Sequence, residues 1–292
     1  MIVYPKINLF LEITARRADG FHEIVTVMQT VSNVTDTLEV IESQDLSLEV
    51  NDLRSPVPVT PGGGFSVAAA PLPVDERNLV IKAALALREH AGVRRGAGFT
   101  LSKRIPDGAG LGGGSADAAA ALVLLNRLWK LNLTRGELAE TAGRVGSDVA
   151  FFIFGGMALC TGRGEKITSL AETPRPVTLI VPPWKSATAA AYQALNPADF
   201  ARHPVEPFLR LLRNTPPGGN LAENGFNVFE AALTAREPRQ AELMAFFAAR
   251  GVTIRLSGSG SCLWTDALSP AFRDALQTAL DAEPTLAGTR LL

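Results

Sequence analysis

The sequence has very few residues that form disulfides or bind metals. Only two cysteines, Cys160 and Cys262, occur among its 292 residues. Two cysteines cannot build a disulfide framework, and their separation does not match the spacing of metal ligands. We therefore expect each to be a small buried apolar residue. The three histidines (22, 90 and 203) also lack metal-ligand spacing, so the sequence predicts no metal site built from side chains.

The sequence also lacks a charge excess and a long hydrophobic run. Its 28 basic and 29 acidic residues give a formal net charge of −1. This balance argues against nucleic acid and membrane surfaces as partners, since proteins that bind either normally carry a basic excess. The longest apolar run near a predicted helix, 118–125, is too short to span a bilayer, and residues 1–6 lack the pattern of a secretory signal. We expect a cytoplasmic protein that is a monomer or a weak homodimer.

Enough apolar sequence is present for one large domain or two ordinary ones. Hydrophobic residues make up 47% of the chain and aromatic residues only 7%, so we expect a largely aliphatic core. Hydrophobic periodicity predicts strands at 6–13, 38–41, 46–50, 99–101, 177–181 and 252–256, and helices at 78–89, 116–129, 189–195 and 238–250.

Two local signals add to this pattern. Thr134 and Glu137 have the spacing of a capping box, which predicts a helix that starts there and ends near Gly146. Residues 151–160 leave two alternatives open, because Gly155 could belong to a hairpin turn or could end a short helix.

The first predicted strand carries polar residues on one face. Ile7 and Leu9 alternate with Lys6 and Asn8, and successive side chains of a strand point to opposite faces. Lys6 and Asn8 are therefore expected on the same face, two residues apart.

A glycine-rich segment carries the strongest functional signal. Five glycines (108, 110, 112, 113 and 114) occur within seven positions, directly before a predicted alanine-rich helix. Glycine permits positive φ and a close approach of the backbone to a ligand, and a helix N-terminus binds anions, most often nucleotide phosphates. The segment lacks the Gly-Lys-Ser/Thr of a Walker A loop and the last spacing of a dinucleotide fingerprint. The alternative is a flexible loop that caps a helix, which the density of glycine disfavours.

Three further motifs are weaker by themselves. Asp148, in Gly-Ser-Asp-Val, could act as a base or could cap a helix. The small-residue loop 256–262 follows a predicted strand, and its sequence leaves a phosphate contact and an ordinary tight turn equally open. His22, within 19–23, could contact a ligand, although a lone histidine is more often a surface or core residue.

Together these residues resemble the GHMP kinase superfamily of small-molecule kinases. The stretch PDGAGLGGGSADAAAAL resembles its phosphate-binding motif, and LSGSGSC resembles its C-terminal glycine motif. PKINLFLEI, RRADGFHEIVTVMQTV and GSDVAFFIFGGMALCTGRGE are similar to one branch of the superfamily. That branch phosphorylates a cytidine diphosphate derivative of methylerythritol in the non-mevalonate route to isoprenoid precursors.

The resemblance implies an α+β, two-domain GHMP kinase fold. Residues 1–163 would form an N-terminal nucleotide-binding domain that is ribosomal protein S5 domain 2-like. Residues 164–292 would form a C-terminal, ferredoxin-like α/β-plait domain. The polar segment 163–176 is then the candidate crossing between them, and the Pro- and Gly-rich segment 54–64 is expected to be a variable surface loop.

The resemblance also implies the reaction and its cofactors, ATP and Mg²⁺. The catalytic lysine and aspartate of the superfamily fall on Lys6 and Asp148. Asp148 would take the proton of a tertiary hydroxyl as its oxygen attacks the γ-phosphorus, and Lys6 would stabilise the negative charge. The residues implied for ATP are Asn78, Pro106, Gly108, Gly110, Leu111, Gly112, Gly113, Gly114 and Ser115. Those implied for the cytidine substrate are Asn8, Phe21, His22, Thr188, Tyr192 and Gly258.

The chain departs from the pattern of the superfamily in two places. Val3-Tyr4-Pro5 precedes Lys6 where Ala-Pro-Ala is usual, and Phe21 replaces a tyrosine, which keeps a stacking ring but loses a hydroxyl. The alternatives are a homoserine or mevalonate type of kinase, a non-catalytic nucleotide sensor and a nucleic-acid binder. The near-neutral charge argues against the last of these.

Overall fold

The computed structural model describes residues 1–54, 71–216 and 219–292. The described residues form strands and α-helices in both halves of the chain. The strands are β1 (Ile2–Val3), β2 (Lys6–Arg16), β3 (His22–Thr30), β4 (Asp36–Ile41), β5 (Leu46–Asp52), β6 (Ala97–Lys103), β7 (Met157–Gly162), β8 (Lys166–Ser169), β9 (Val177–Val181), β10 (Phe226–Asn227), β11 (Arg255–Leu256), β12 (Leu263–Asp266) and β13 (Arg290–Leu291). The helices are α1 (Leu79–Ala91), α2 (Gly113–Leu128), α3 (Arg135–Val145), α4 (Val149–Phe154), α5 (Thr188–Gln193), α6 (Val205–Asn214), α7 (Phe229–Arg236), α8 (Pro238–Ala248) and α9 (Pro270–Asp281).

The strands make three sheets. Their strand orders are β1-β4-β6-β5, β10-β2-β3-β7-β8 and β11-β12-β9-β13. The third sheet is antiparallel throughout, and the other two are mixed because β5 runs parallel to β6 and β10 runs parallel to β2. The predicted α+β class is therefore confirmed. Within the described residues, no helix is both long and apolar enough to cross a membrane.

The first sheet packs against α1 and α2 around a largely aliphatic core. Helix α2 contacts α1 and β4, and five of its alanines are buried (116, 118, 119, 120 and 121). Small side chains let a helix approach its neighbours closely, so this composition fixes α2, and the loop before it, against the sheet. The aliphatic core expected from the sequence is confirmed.

Strand β2 is buried on both faces. Ile7 and Leu9 are fully buried, and Lys6 and Asn8 are each only 3% exposed. The shared face predicted for Lys6 and Asn8 is confirmed, because the Lys6 ammonium donates a 2.7 Å hydrogen bond to Asn8 Oδ1. The polar face of β2 therefore points into the molecule, which is unusual unless the buried charge has a partner.

Several predicted elements are confirmed with shifted ends. The capping box at Thr134 and Glu137 is present at the start of α3. Helix α2 begins at Gly113, three residues before the predicted start. The sequence pattern does not predict this first turn because glycine is a poor helix former. The predicted strand 252–256 is only two residues long, as β11.

The ambiguous segment 151–160 contains a helix end followed by a strand. Helix α4 ends at Phe154, and Gly155 follows it with a φ of 66°. The short-helix alternative is therefore correct.

Periodicity does not predict strand β3 or helix α6. Thr26 and Gln29 occupy fully buried positions in β3, so the polar residues that usually mark the solvent face are inside. Helix α6 carries proline at 207, in its first turn, where proline is tolerated but resembles a loop signal.

The predicted division after residue 163 stays a prediction. Strands β7 and β8 lie on either side of it and pair with each other. The predicted loop 54–64 falls outside the described residues, apart from Arg54.

Candidate active site

The glycine-rich loop connects the end of β6 to the start of α2. Gly108, Gly110 and Gly112 have φ values of 66°, 76° and 67°, a region that side chains rarely adopt. At Gly110 a Cβ atom would lie 2.0 Å from Ser257 O, so no other residue fits there. Gly114 belongs to the helix and is exposed. Three of the five glycines thus allow the turn itself.

The N-terminus of α2 is open towards solvent at this loop. Its N-cap is Gly112, which has no side chain to accept from the first N–H groups, and its first turn carries no acidic residue. The unpaired N–H groups and the helix dipole favour an anion at this end. Ser115, in the first turn, is partly exposed. A helix N-terminus of this kind suits an anion such as phosphate, and phosphate binding by this loop stays a prediction.

Lys6 lies directly beside this loop. Its backbone N–H donates to Leu111 O at 2.9 Å, and its Cε is 3.3 Å from the position a Cβ on Gly112 would take. Lys6 Nζ is 3.5 Å from Asp148 Oδ2. The structure therefore brings together the two predicted catalytic residues at the mouth of the loop.

Asp148 immediately precedes α4, but its side chain does not cap that helix. It occupies the N-cap position without a side-chain capping hydrogen bond. The carboxylate instead faces Lys6, and its side chain is 31% exposed whereas that of Lys6 is 4% exposed.

The loop after β11 packs on the glycine-rich loop. Ser257 Oγ donates to Gly110 O at 2.9 Å, and Cys262 N donates to Ala109 O at 3.1 Å. At Gly258 a Cβ would lie 3.2 Å from Gly110 O and 3.4 Å from Lys6 Nζ. The second loop therefore packs against the glycine-rich loop and Lys6. It also contains a turn, in which Gly260 N donates to Ser257 O at 3.0 Å, and its contact with phosphate stays a prediction.

Asn8 links Lys6 to that second loop. Its Oδ1 accepts from Lys6 Nζ and, at 2.8 Å, from Gly258 N. Its Nδ2 donates to Thr26 Oγ1 at 2.8 Å. These bonds orient the Lys6 ammonium, and the predicted contact of Asn8 with the substrate stays a prediction.

A cluster of aromatic rings lies close enough to Asp148 for the charge of that residue to affect the pKa of Tyr192. The rings of His22 and Tyr192 are 4.9 Å apart at 32°, and Phe200 meets His22 edge-on at 5.8 Å. Phe21 is half exposed, with the Arg163 guanidinium 4.8 Å from its ring. The cluster provides a partly exposed surface on which a flat ring could stack.

The ionisation of this cluster follows from its burial. Burial, aided by the charge of Arg16, lowers the pKa of His22 below its usual 6.5. Burial raises the pKa of Tyr192 to about 12, with a further contribution from Asp148. Both rings are consequently uncharged at neutral pH.

Two other predicted binding residues have structural partners. Thr188, the first residue of α5, shares a 2.9 Å hydrogen bond with Ser259 Oγ of the second loop. Asn78 caps α1 by accepting from Val80 N at 3.0 Å. Leu79, next to Asn78, is near Gly114, so Asn78 lies close to the glycine-rich loop. The contact of Asn78 with adenine stays a prediction.

The structure adds residues that no local pattern identifies. Asn227 Nδ2 donates to Leu256 O and Gly258 O at 2.8 and 2.9 Å, which fixes the second loop. Lys185 lies over Gly108, with its ammonium 3.6 Å from Asp107 Oδ2. The only sequence signal for Lys185 is a basic residue between a strand and a helix.

The described residues contain no group of three or more His, Cys, Asp or Glu side chains that could hold a metal ion. The two cysteines are buried and free, as expected. Burial raises the pKa of each thiol to about 12, so neither is reactive at neutral pH.

Comparison with known proteins places this chain in a family. A sequence model described as "GHMP kinases N terminal domain" matches residues 78–156. A 4-diphosphocytidyl-2-C-methyl-D-erythritol kinase from Exiguobacterium sibiricum is 39% identical, over 87% of this chain and 84% of its own length. The chain belongs to the 4-diphosphocytidyl-2-C-methyl-D-erythritol kinase family. A second family member, from Thermosynechococcus vestitus, is 38% identical over 93% of this chain and 87% of its own.

Solved structures agree with this family and with its fold. A crystal structure of 4-(cytidine 5'-diphospho)-2C-methyl-D-erythritol kinase aligns with a TM-score of 0.73 and 30% identity, covering 100% of this chain and 97% of that one. A mevalonate kinase from L. major, solved with R-mevalonate, has a TM-score of 0.69 at 20% identity, over 100% of this chain and 93% of that one, which shows the fold alone. The predicted GHMP kinase fold is therefore confirmed, and the chain is a kinase.

Proposed function

We propose that this kinase transfers the γ-phosphoryl group of ATP to the tertiary 2-hydroxyl of 4-diphosphocytidyl-2-C-methyl-D-erythritol, a step in the non-mevalonate route to isoprenoid precursors. The observation that carries the proposal is the Lys6–Asp148 pair, with Nζ and Oδ2 3.5 Å apart, at the mouth of the glycine-rich loop. A carboxylate that can accept a proton and an ammonium that can stabilise negative charge, both beside a helix N-terminus that can bind phosphate, are suited to phosphoryl transfer to an alcohol.

In this reaction Asp148 accepts the proton of the hydroxyl group. The substrate oxygen forms a bond to the γ-phosphorus, the bond from that phosphorus to the β,γ-bridging oxygen breaks, and ADP leaves with the electron pair. Lys6, which Asn8 and Asp148 hold in place, stabilises the negative charge that develops on the attacking oxygen. Because Lys6 is buried, this stabilisation is stronger than it would be in water.

The nucleotide phosphates would lie against the loop from 106 to 115. The N–H groups of the first turn of α2 and the Ser115 hydroxyl would hold the β- and γ-phosphates. ATP is the phosphoryl donor of GHMP kinases, and Mg²⁺ would neutralise the triphosphate and polarise its γ-phosphorus when bound. The ion would be held through the phosphate oxygens that this loop positions, which suits Mg²⁺ because it keeps several water ligands and binds largely through substrate phosphates.

The aromatic cluster accounts for the cytidine group of the substrate. A cytosine ring between Phe21 and Tyr192 would gain about 1 kcal/mol per stacking contact. The neutral His22 ring could then hydrogen-bond to the edge of the base. Neither homoserine nor mevalonate carries a base for this surface.

The test is a kinase assay with ATP and Mg²⁺ on three alcohols in parallel. We expect turnover of 4-diphosphocytidyl-2-C-methyl-D-erythritol and a kcat/KM at least a hundredfold lower for homoserine and mevalonate. Comparable turnover of either simpler alcohol would contradict the proposed specificity. ATP binding without turnover of any of the three would indicate a nucleotide sensor.

A further inference from the structure

A buried charge cluster lies behind the glycine-rich loop, apart from the Lys6–Asp148 pair. The Lys103 ammonium is 2.5 Å from Asp36 Oδ2 and 2.7 Å from Asp117 Oδ2. All three side chains are at most 3% exposed. Burying one ammonium with two carboxylates costs desolvation energy that hydrophobic residues of similar size would not. The cluster therefore needs a role beyond stability.

The cluster holds both ends of the loop. Lys103 is the last residue of β6, immediately before the loop, and Asp117 lies in α2, immediately after it. The second oxygen of Asp36 accepts from Arg104 N at 2.6 Å and from Ile105 N at 2.8 Å. One ammonium thus joins the strand that enters the loop to the helix that leaves it.

Lys103 also lies directly beneath the first residue of α2. A Cβ on Gly113 would be 2.9 Å from Lys103 Nζ and 2.8 Å from Ile105 Cγ2. The backbone at Gly113 carries one of the N–H groups that face the phosphates. Since the packing leaves no space between this backbone and the ammonium, displacement of Lys103 changes the position of that N–H group.

The charge of the cluster depends on Lys103. Asp117 Oδ1 is buried and has no hydrogen-bond partner among the described residues, so Lys103 is the group that anchors this carboxylate. Without the ammonium, Asp36 and Asp117 would lie buried beside the start of α2 with no cation to bind either side chain.

We infer that Lys103 is a positioning residue for ATP. It sets the shape of the glycine-rich loop through Asp36 and Asp117 without touching the nucleotide. This inference rests on the proposed role of the loop in ATP binding. Loss of the buried charge cluster should therefore affect only one of the two substrates. It weakens binding of ATP and leaves binding of the alcohol substrate intact, because the aromatic cluster is separate from the charge cluster.

The experiment compares Lys103→Met, Asp117→Ala and Asp117→Asn. Asp117→Ala removes the link to Lys103, whereas Asp117→Asn keeps an oxygen that can accept from it. We expect Lys103→Met and Asp117→Ala to raise both the KM and the directly titrated Kd for ATP at least tenfold. We expect Asp117→Asn to stay within threefold of wild type, and the KM for the alcohol to stay within threefold in every variant.

The matched control is Leu87→Ala, which removes a fully buried side chain of α1 in the same half of the chain. It should lower the urea midpoint but leave the Kd for ATP unchanged. The inference would be overturned if Asp117→Ala and Lys103→Met both kept the wild-type affinity for ATP while their urea midpoints fell. If Lys103→Met does not fold, the comparison of Asp117→Ala with Asp117→Asn tests the inference. Failure of the wild-type protein to bind ATP would instead refute the proposed function.

Discussion

Asp148 and Lys6 differ in exposure, and this difference supports the separate roles proposed for them. Lys6 is enclosed by Asn8, the glycine-rich loop and the second loop, so its ammonium is held in one position. Asp148 is partly exposed, which lets a substrate hydroxyl reach it. A base must contact the proton that it removes, and of the two residues only Asp148 meets that condition.

Asp148→Asn is expected to abolish most turnover while ATP still binds. Loss of a general base lowers kcat by about 10²- to 10⁴-fold, whereas the loop that holds the phosphates is unchanged. Steady-state kinetics and calorimetric titration of ATP measure the two effects separately. The control is Asp45→Asn on the exposed surface, which should leave kcat at the wild-type value. A kcat for Asp148→Asn within threefold of wild type would exclude Asp148 as the base.

Tyr192 is expected to contribute to substrate binding through its ring. Tyr192→Ala should raise the KM for the cytidine substrate about fivefold, which corresponds to the loss of one stacking contact of about 1 kcal/mol. Tyr192→Phe keeps the ring and should stay within twofold of wild type. The KM for ATP should be unchanged in both variants. Equal KM values for the alanine and phenylalanine variants would show that the ring does not stack on the base.

At the level of elements, the glycines of the loop are not equivalent. Gly110→Ala should destabilise the protein by about 2 kcal/mol or more, because φ is 76° and the added Cβ would lie 2.0 Å from Ser257 O. Gly114→Ala is the matched control in the adjacent helix, where the nearest atom to the added Cβ, Leu79 Cδ1, is 3.6 Å away. Its free energy of unfolding should be unchanged or slightly higher, since alanine favours a helix. Urea unfolding of the two variants tests the difference, and equal stability would contradict it.

Sequence patterns predict the elements that are stabilised by interactions between residues close together in the chain. The shared face of Lys6 and Asn8, the capping box at Thr134 and the helix after the glycines each follow from a few neighbouring residues. The contact of Ser257 with Gly110 joins residues 147 positions apart, and no period or motif within either segment encodes it. Only the resemblance to a known family indicates that the two loops belong to one site.

The same limit applies to the buried charges. Asp117 is 14 positions from Lys103, but Asp36 is 67 positions from it. All three are charged residues, a type that usually lies on the solvent-exposed surface. Their burial is a consequence of how β4, β6 and α2 pack, so sequence patterns alone do not predict the cluster.

At the level of the whole molecule, the two halves share one core and one site. Ile7 and Leu9 of β2 pack in a cluster with Leu179 and Trp264 from the second half, and Trp264 Nε1 donates to Asn8 O at 3.0 Å. The second loop, which fixes the Lys6 side chain through Asn8, also comes from the second half. The proposed catalytic pair is therefore positioned only when both halves are folded together.

The global stability of the protein is expected to depend on the ionisation of Asp117. Burial, together with the neighbouring Asp36, raises the pKa of Asp117 from its ordinary 3.8 to about 7 against the opposing effect of Lys103. A carboxyl with a raised pKa binds a proton in the folded protein that the unfolded chain has already lost. Its stabilising contribution is complete below pH 4 and disappears as the pH rises through 7.

Urea unfolding between pH 5 and pH 8 measures this contribution, with Asp117→Asn as the reference because asparagine does not titrate. The free energy of unfolding of the wild type should fall with pH more steeply than that of Asp117→Asn, by at most about 1.4 kcal/mol per pH unit for one proton. The difference should level off roughly one pH unit above the folded-state pKa of about 7, where Asp117 is ionised in both states. Parallel curves over the whole range would mean that Asp117 ionises at its ordinary pKa, in which case Lys103 compensates both buried carboxylates.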